Sequence, residues 1–303
     1  TAYSGGGDKT MKSTELASVF ENAWYNDRGS EKSGRKEKWN KRAEEWDMKY
    51  RREGEGELHL QRITDTAAFL RSKGLLGPEC DVADIGCGPG RFAAEFARSA
   101  RSVLGVDLSQ RMTEFGSRYC REQGLENTEF VALDFPKADI DELGWRGKFD
   151  LVFSSITPAV SGKGLDNMMA MSRAWCYNSC FVSSCNELQD RVMREVFSRE
   201  PKREKTSHSH WFFTLFALLW ERGYYPQTSY YDQHREIELP ADRNTAERYC
   251  EYLLDEEGHE ENSIRAVHEF LKSCAGDGCT VREVSDCRMG WLLWDVREKN
   301  TSR

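Results

Sequence analysis

One stretch, Val82-Ala83-Asp84-Ile85-Gly86-Cys87-Gly88-Pro89-Gly90-Arg91-Phe92, constrains the fold of this chain more than any other. The residues up to Ile85 have strand propensity, and Phe92, Ala93, Phe96 and Ala97 repeat at helical spacing. The backbone must therefore turn sharply between them. Glycine permits such a turn because it takes positive φ cheaply and lets a ligand lie against the main chain. A parallel sheet binds ligands in the crevice beyond the carboxyl ends of its strands, where this loop would sit. A dinucleotide fingerprint would need its third glycine at the position of Arg91, and no Gly-Lys-Ser/Thr follows to make a P-loop. The pattern is instead G-x-G-x-G with Asp84 two residues ahead.

Further strand-like segments follow in order. Val103-Leu104-Gly105-Val106-Asp107-Leu108-Ser109 ends on an acid, as does Glu129-Phe130-Val131-Ala132-Leu133-Asp134-Phe135. Lys148-Phe149-Asp150-Leu151-Val152-Phe153-Ser154-Ser155 makes a fourth. This succession resembles motif I and its sequels in the class I S-adenosylmethionine-dependent methyltransferases. The resemblance implies S-adenosyl-L-methionine as cofactor and S-adenosyl-L-homocysteine as product. It implies that Gly86, Cys87, Gly88 and Gly90 let the loop approach the cofactor and that Asp84 helps hold its amino group. Asp107 would hold the ribose, Leu108 would pack on the adenine, and Asp134 with Phe135 would face the adenine edge and ring. Ser154, at the end of the fourth strand, completes the cofactor set. A carboxylate suits the ribose because it accepts two hydrogen bonds side by side.

The same pattern predicts an α/β fold: a Rossmann-like, seven-stranded, mostly parallel sheet in a three-layer αβα arrangement, with an N-terminal helical lid and a helical insertion near the last strands. Three regions are expected: an N-terminal segment and lid helices over residues 1–56, a cofactor-binding core over 57–186, and the completion of the sheet with a substrate-shaping insertion over 187–303. Residues 15–25 and 58–76 carry helical stripes, the latter with Leu60, Ile63, Ala67, Phe69 and Leu70 inward. Residues 26–34 are polar and turn-forming. Trp39-Asn40-Lys41-Arg42-Ala43-Glu44-Glu45-Trp46 resembles the helix that closes over the cofactor in many small-molecule methyltransferases. Acids and bases interleave along 35–52, which reads as a solvated helix face and not as a nucleic-acid patch. Within the core, a helix is expected over 165–175 and a fifth strand over 179–184. Beyond it come helices over 187–199, 211–222, 244–254 and 263–273, a strand within 227–239 and a last strand over 289–296.

The net charge of −8 argues against a large polyanionic partner. The longest apolar run, residues 211–220, is about half the length that spans a bilayer. No secretory leader is evident, and ten cysteines without small-scaffold spacing fit a reducing, cytoplasmic compartment. Cys176, Cys180 and Cys185 match no zinc spacing, so no metal is expected and buried free thiols are.

Methyl transfer asks the protein mainly for alignment and exclusion of water. A base is needed only where the acceptor must lose a proton, and His210 and His234 are the candidates for that role or for substrate contact. Tyr25, Trp39, Ser155, Thr157, His208, Trp211 and Tyr231 are candidate pocket residues. The expected acceptor is a small, partly apolar molecule. Alternatives are an RNA methyltransferase, should the basic residues of 35–52 and 199–205 converge on the cleft, and a cofactor-sensing or assembly protein without turnover. Ser154-Ser155-Ile156-Thr157-Pro158 lacks the Asn/Asp-Pro-Pro-aromatic sequence of DNA amino-methylases, which speaks against that class.

Overall fold

A computed structural model describes residues 13–25, 35–49, 55–201, 207–254 and 260–299. Its centre is a seven-stranded sheet formed by β1 (Asp81–Ile85), β2 (Ser102–Asp107), β3 (Thr128–Ala132), β4 (Phe149–Ser155), β5 (Ser172–Asn186), β6 (Gln227–Pro240) and β7 (Thr280–Asp295). Their spatial order is β3-β2-β1-β4-β5-β7-β6. The first five strands pair in parallel, and β7 runs antiparallel between β5 and β6. The sheet order reverses direction at β1, which opens a crevice between β1 and β4 at their carboxyl ends.

Helices α1 (Ser13–Tyr25), α2 (Arg35–Lys49) and α3 (Glu55–Ser72) precede the sheet. Within it lie α4 (Arg91–Ala97), α5 (Gln110–Glu122) and α6 (Lys163–Met171). After β5 come α7 (Glu187–Arg191), α8 (Ser207–Glu221), α9 (Arg243–Leu253) and α10 (Glu261–Ala275). On one face of the sheet Ile63, Ala67 and Leu70 of α3 and Phe96 of α4 pack with Val82, Leu151 and Phe153. On the other, Leu165 and Met168 of α6 and Leu215 and Leu219 of α8 pack with Ala83, Ile85 and Val152. Strands buried on both faces read as near-continuous apolar runs, which is why β1 and β4 were legible.

The expected architecture is present, with shifted edges. β5 begins at Ser172, seven residues before the expected start, because Ser172 and Trp175 pair with Phe149 and Leu151 of β4 and end the helix at Met171. β3 stops at Ala132, and Phe135 opens a 3₁₀ turn. The helix expected over 187–199 is α7 followed by a π turn, Val192–Val196. Leu60 faces outward at 43% exposure. The turn expected at 26–34 lies outside the described residues.

β4 meets β5 as far as Ser179, yet β5 and β7 stay paired to Asn186 and Ser285, and β6 and β7 to Pro240 and Thr280. The three strands thus rise beyond the ligand edge of the sheet. There α7, α9, α10 and the π turn share a separate core of Leu188, Val192, Tyr249, Val267, Leu271 and Val281. The helical insertion is thus built from two connections: α7 and the π turn follow β5, and α9 and α10 lie between β6 and β7.

Candidate active site

A cavity of about 520 Å³ opens at the carboxyl ends of β1, β2 and β4. Its floor is Gly86, Cys87 and Gly88, and Trp39 and Trp46 of α2 reach it from above. The loop turns through left-handed backbone at Gly86 (φ 74°) and Gly88 (φ 52°). A Cβ at Gly86 would stand 2.3 Å from Thr157 Oγ1, whereas one at Gly88 would meet no atom within 4 Å. The bare peptide at 88 therefore faces open space, as a surface made to receive a ligand does. Gly90, also left-handed, caps α4 and packs on Gly116 and Phe130, away from the cavity.

Two acids stand at the strand ends. Asp84 is 2% exposed and its Oδ2 has no hydrogen-bond partner. Burial, reinforced by the charge of Asp107, pushes its carboxyl up to about 8. Such a group awaits a donor, because a buried polar atom left without one is costly. Asp107 accepts the Gly88 N–H on Oδ2 and the Ser109 N–H on Oδ1, each at 2.9 Å. Burial raises its pKa, and those backbone donors oppose the rise. Each oxygen keeps a lone pair, so two adjacent hydroxyls can be accepted side by side. Leu108, Asp134 and Phe135 also line the cavity. Asp134 holds Lys137 at 2.8 Å.

The lid helix α2 is fastened to the core. Arg91 of α4 donates to Asp47 at 2.7 Å, with side chains only 4% and 9% exposed. Ser109 Oγ donates to Asn40 at 2.6 Å, and Arg111 pairs with Glu44. Ala43 is fully buried under this contact, and Trp39 and Trp46 meet edge to face, 6.2 Å apart.

Of the residues expected at the acceptor end, Trp39, Ser155 and Thr157 line the cavity. Tyr231 lies close by on β6, beside Arg62. The others are placed elsewhere. Ser154, expected in the cofactor set, is turned into the sheet, where its hydroxyl accepts from Asn178 at 2.7 Å. Tyr25 donates to Asp166 at 2.6 Å on the outer surface, and Trp211 packs against Trp24 at 5.0 Å under α1. His210 is exposed at the start of α8, and the side chain of His208 lies outside the described residues. His234 is 62% exposed and bound to Asp286 at 2.7 Å, because alternation along β6 turns it to solvent. Neither His210 nor His234 lines the cavity, so neither is placed to act as base.

The sequence reading missed three features of the cavity wall. Met112 enters from α5. Ile156 adopts φ 52°, a strained state for a β-branched residue and one that collects at functional sites. Arg62 of α3 reaches the wall, donates to Ser155 Oγ at 2.8 Å and lies 5.1 Å from the centre of the Phe92 ring. Its signal was a basic residue on the buried stripe of Ile63, Thr66, Ala67 and Leu70. Among the described residues no cluster of potential metal ligands occurs.

A Rossmann-like sheet whose glycine loop faces open space, with one donor-seeking acid before it and an acid on the next strand that can accept a diol, is an arrangement suited to a nucleoside ligand. Residues 82–175 match the family model described as a methyltransferase domain, in line with the resemblance to the class I S-adenosylmethionine-dependent methyltransferases and with S-adenosyl-L-methionine as cofactor. Over 112 residues it is 35% identical to the 23S rRNA (uracil(1939)-C(5))-methyltransferase RlmD of Alcanivorax borkumensis, covering 37% of this chain and 24% of that protein. Over 79 residues it is 41% identical to the protein of the same name from Marinomonas posidonica, covering 25% and 18%. The chain thus spans about a quarter or less of these relatives. It is also similar in structure to magnesium protoporphyrin IX methyltransferase from Synechocystis PCC 6803 with bound SAH, at a TM-score of 0.49 and 17% identity over 64% of this chain and 90% of that one.

Proposed function

We propose that this chain transfers a methyl group from S-adenosyl-L-methionine to a small, partly apolar acceptor. The observation that carries the reading is the join of bare peptide at Gly88, the unpartnered Asp84 Oδ2 and the doubly backbone-bound Asp107 around one roofed cavity. Asp84 would accept the cofactor's ammonium, Asp107 its ribose hydroxyls, and Leu108 and Phe135 would flank its base, with Asp134 at the base edge. The cofactor supplies a methyl already activated by its sulfonium: the carbon–sulfur bond breaks as the acceptor–carbon bond forms. The protein's part is to hold donor and acceptor in line and keep water out, which can supply about 7–11 kcal/mol. Trp39 and Trp46 on a lid fastened by Arg91–Asp47 serve that exclusion.

A small, partly apolar acceptor is supported by the lining of the cavity, where Trp39, Trp46, Phe92 and Ile156 are apolar. Division at 56/57 and 186/187 into lid, core and substrate-shaping region follows from the same reading. All ten cysteines are unpaired, which supports a reducing, cytoplasmic setting; no described helix is long and apolar enough to cross a membrane. The local similarity to rRNA methyltransferases favours a second reading in which the acceptor is RNA. Labelled S-adenosylmethionine, incubated with the protein and either total RNA or a small-molecule cell extract, separates the two. Label in the low-mass fraction supports the first reading, and label in RNA overturns it. Cofactor binding with transfer to neither fraction assigns a sensor role.

A further inference from the structure

Arg62 is more than nine-tenths buried, at 8% exposure, yet among the described residues it forms no ion pair. Its described contacts are all to neutral groups: Ser155 Oγ at 2.8 Å, the Tyr231 hydroxyl and the face of Phe92. Ser155 in turn accepts from Ser179 Oγ at 2.9 Å. Tyr231 of β6 is hydrogen-bonded to Arg62 and Cys287 of β7 is within electrostatic reach of it; burial raises the pKa of both, so neither supplies a settled negative charge near neutral pH. The acid that senses Arg62 in the cleft is Asp84, which is not in contact with it and whose other demand is for a donor of its own. A guanidinium cannot shed its proton, so a buried one without a counter-ion stays charged at a cost. Its planar fork matches a carboxylate. Ser155 and Ser179 set hydroxyls beside it, and all three stand at the β4–β5 edge of the cleft, under the extension of β5, β6 and β7.

We propose that Arg62 and Ser155 form a carboxylate-binding subsite of the cleft. The carboxylate is borne either by the methyl acceptor or by the amino-acid tail of the cofactor; in both cases the ligand completes the ion pair that the protein leaves open. This rests on the methyltransferase reading above, and it names a specificity determinant that the glycine-loop motif does not contain.

The test uses the full chain and the variants Arg62→Met, Arg62→Lys and Ser155→Ala, each checked for wild-type melting. Binding of S-adenosylhomocysteine and of 5′-methylthioadenosine, which lacks the amino-acid tail, is measured by calorimetry. Benzoate and its neutral counterpart benzamide are then followed by ligand-detected NMR on protein saturated with S-adenosylhomocysteine. If the tail is the source, Arg62→Met weakens S-adenosylhomocysteine at least tenfold and leaves 5′-methylthioadenosine unchanged. If the acceptor is the source, both nucleosides bind as in wild type, benzoate binds while benzamide does not, and Arg62→Met abolishes benzoate binding. Arg62→Lys keeps the charge without the fork and recovers part of either effect, and Ser155→Ala loses part. Should Arg62→Met leave all four probes as in wild type, the subsite does not exist. Wild-type protein that binds neither nucleoside would instead refute the cofactor reading, a distinguishable result.

Discussion

Replacing Asp107 by Ala removes the group on which the placement of the ribose depends. In the structure its two oxygens each accept one backbone N–H at 2.9 Å and each retain a free acceptor position. Two hydroxyls bound there would make charge-assisted hydrogen bonds of about 1.5–3 kcal/mol each, so about 3 kcal/mol at the low end. At 1.4 kcal/mol per factor of ten, S-adenosylhomocysteine should bind roughly a hundredfold more weakly. Asp107→Asn keeps one acceptor and sets an NH₂ against one of the two backbone donors, so it should lose about tenfold. Calorimetric titration reads both, with thermal melting as the check that the glycine loop, which loses its tether at Gly88, still folds. Affinity within threefold of wild type for Asp107→Ala would refute the assignment.

Other outcomes follow from the same geometry. Because burial holds Asp84 near 8, an ammonium must first displace its proton at lower pH: S-adenosylhomocysteine affinity should rise about tenfold per unit from pH 6 towards 8 and then level off, and Asp84→Asn should flatten that slope. The stability effect has the opposite trend with pH. The unfolded carboxyl ionises near 4 and the folded one near 8, so the folded state binds the extra proton between them. Without ligand, wild type should therefore lose stability relative to Asp84→Asn as pH rises through that window, read as a falling difference in melting temperature. Gly88→Val should abolish nucleoside binding with only a modest fall in melting temperature, since its side chain projects into the cleft and the strain of positive φ is about 1–2 kcal/mol. Asp47→Ala leaves the buried Arg91 without this carboxylate and should destabilise the protein by about 3 kcal/mol, with faster amide exchange across α2 than across α6.

How much of this was legible depends on the range over which each signal acts. The glycine loop, Asp84 and Asp107 were readable because a tight strand–helix turn is specified within about ten residues; the structure brings Asp84, Gly86, Gly88 and Asp107 to one cavity and turns Gly90 away from it. Arg62 was not, since it reaches the site from a helix more than twenty residues ahead of the loop, and only the burial of its whole helix face distinguishes it from a surface arginine. The aromatic cluster misled for a related reason. Trp24 and Trp211 serve the contact between α1 and α8, and an amphipathic pattern does not say whether the apolar face meets a ligand or another helix. His234 could be assigned to the solvent side of β6 only once its register with Asp286 of β7 was fixed.

A crystal structure of the protein grown with millimolar S-adenosylhomocysteine tests the central claim most directly. The ribose should lie on Asp107, the base between Leu108 and Phe135, and the amino group within hydrogen-bonding distance of Asp84 Oδ2. A nucleoside bound elsewhere, or a cleft that stays closed to it while Gly88 contacts only protein, would contradict it.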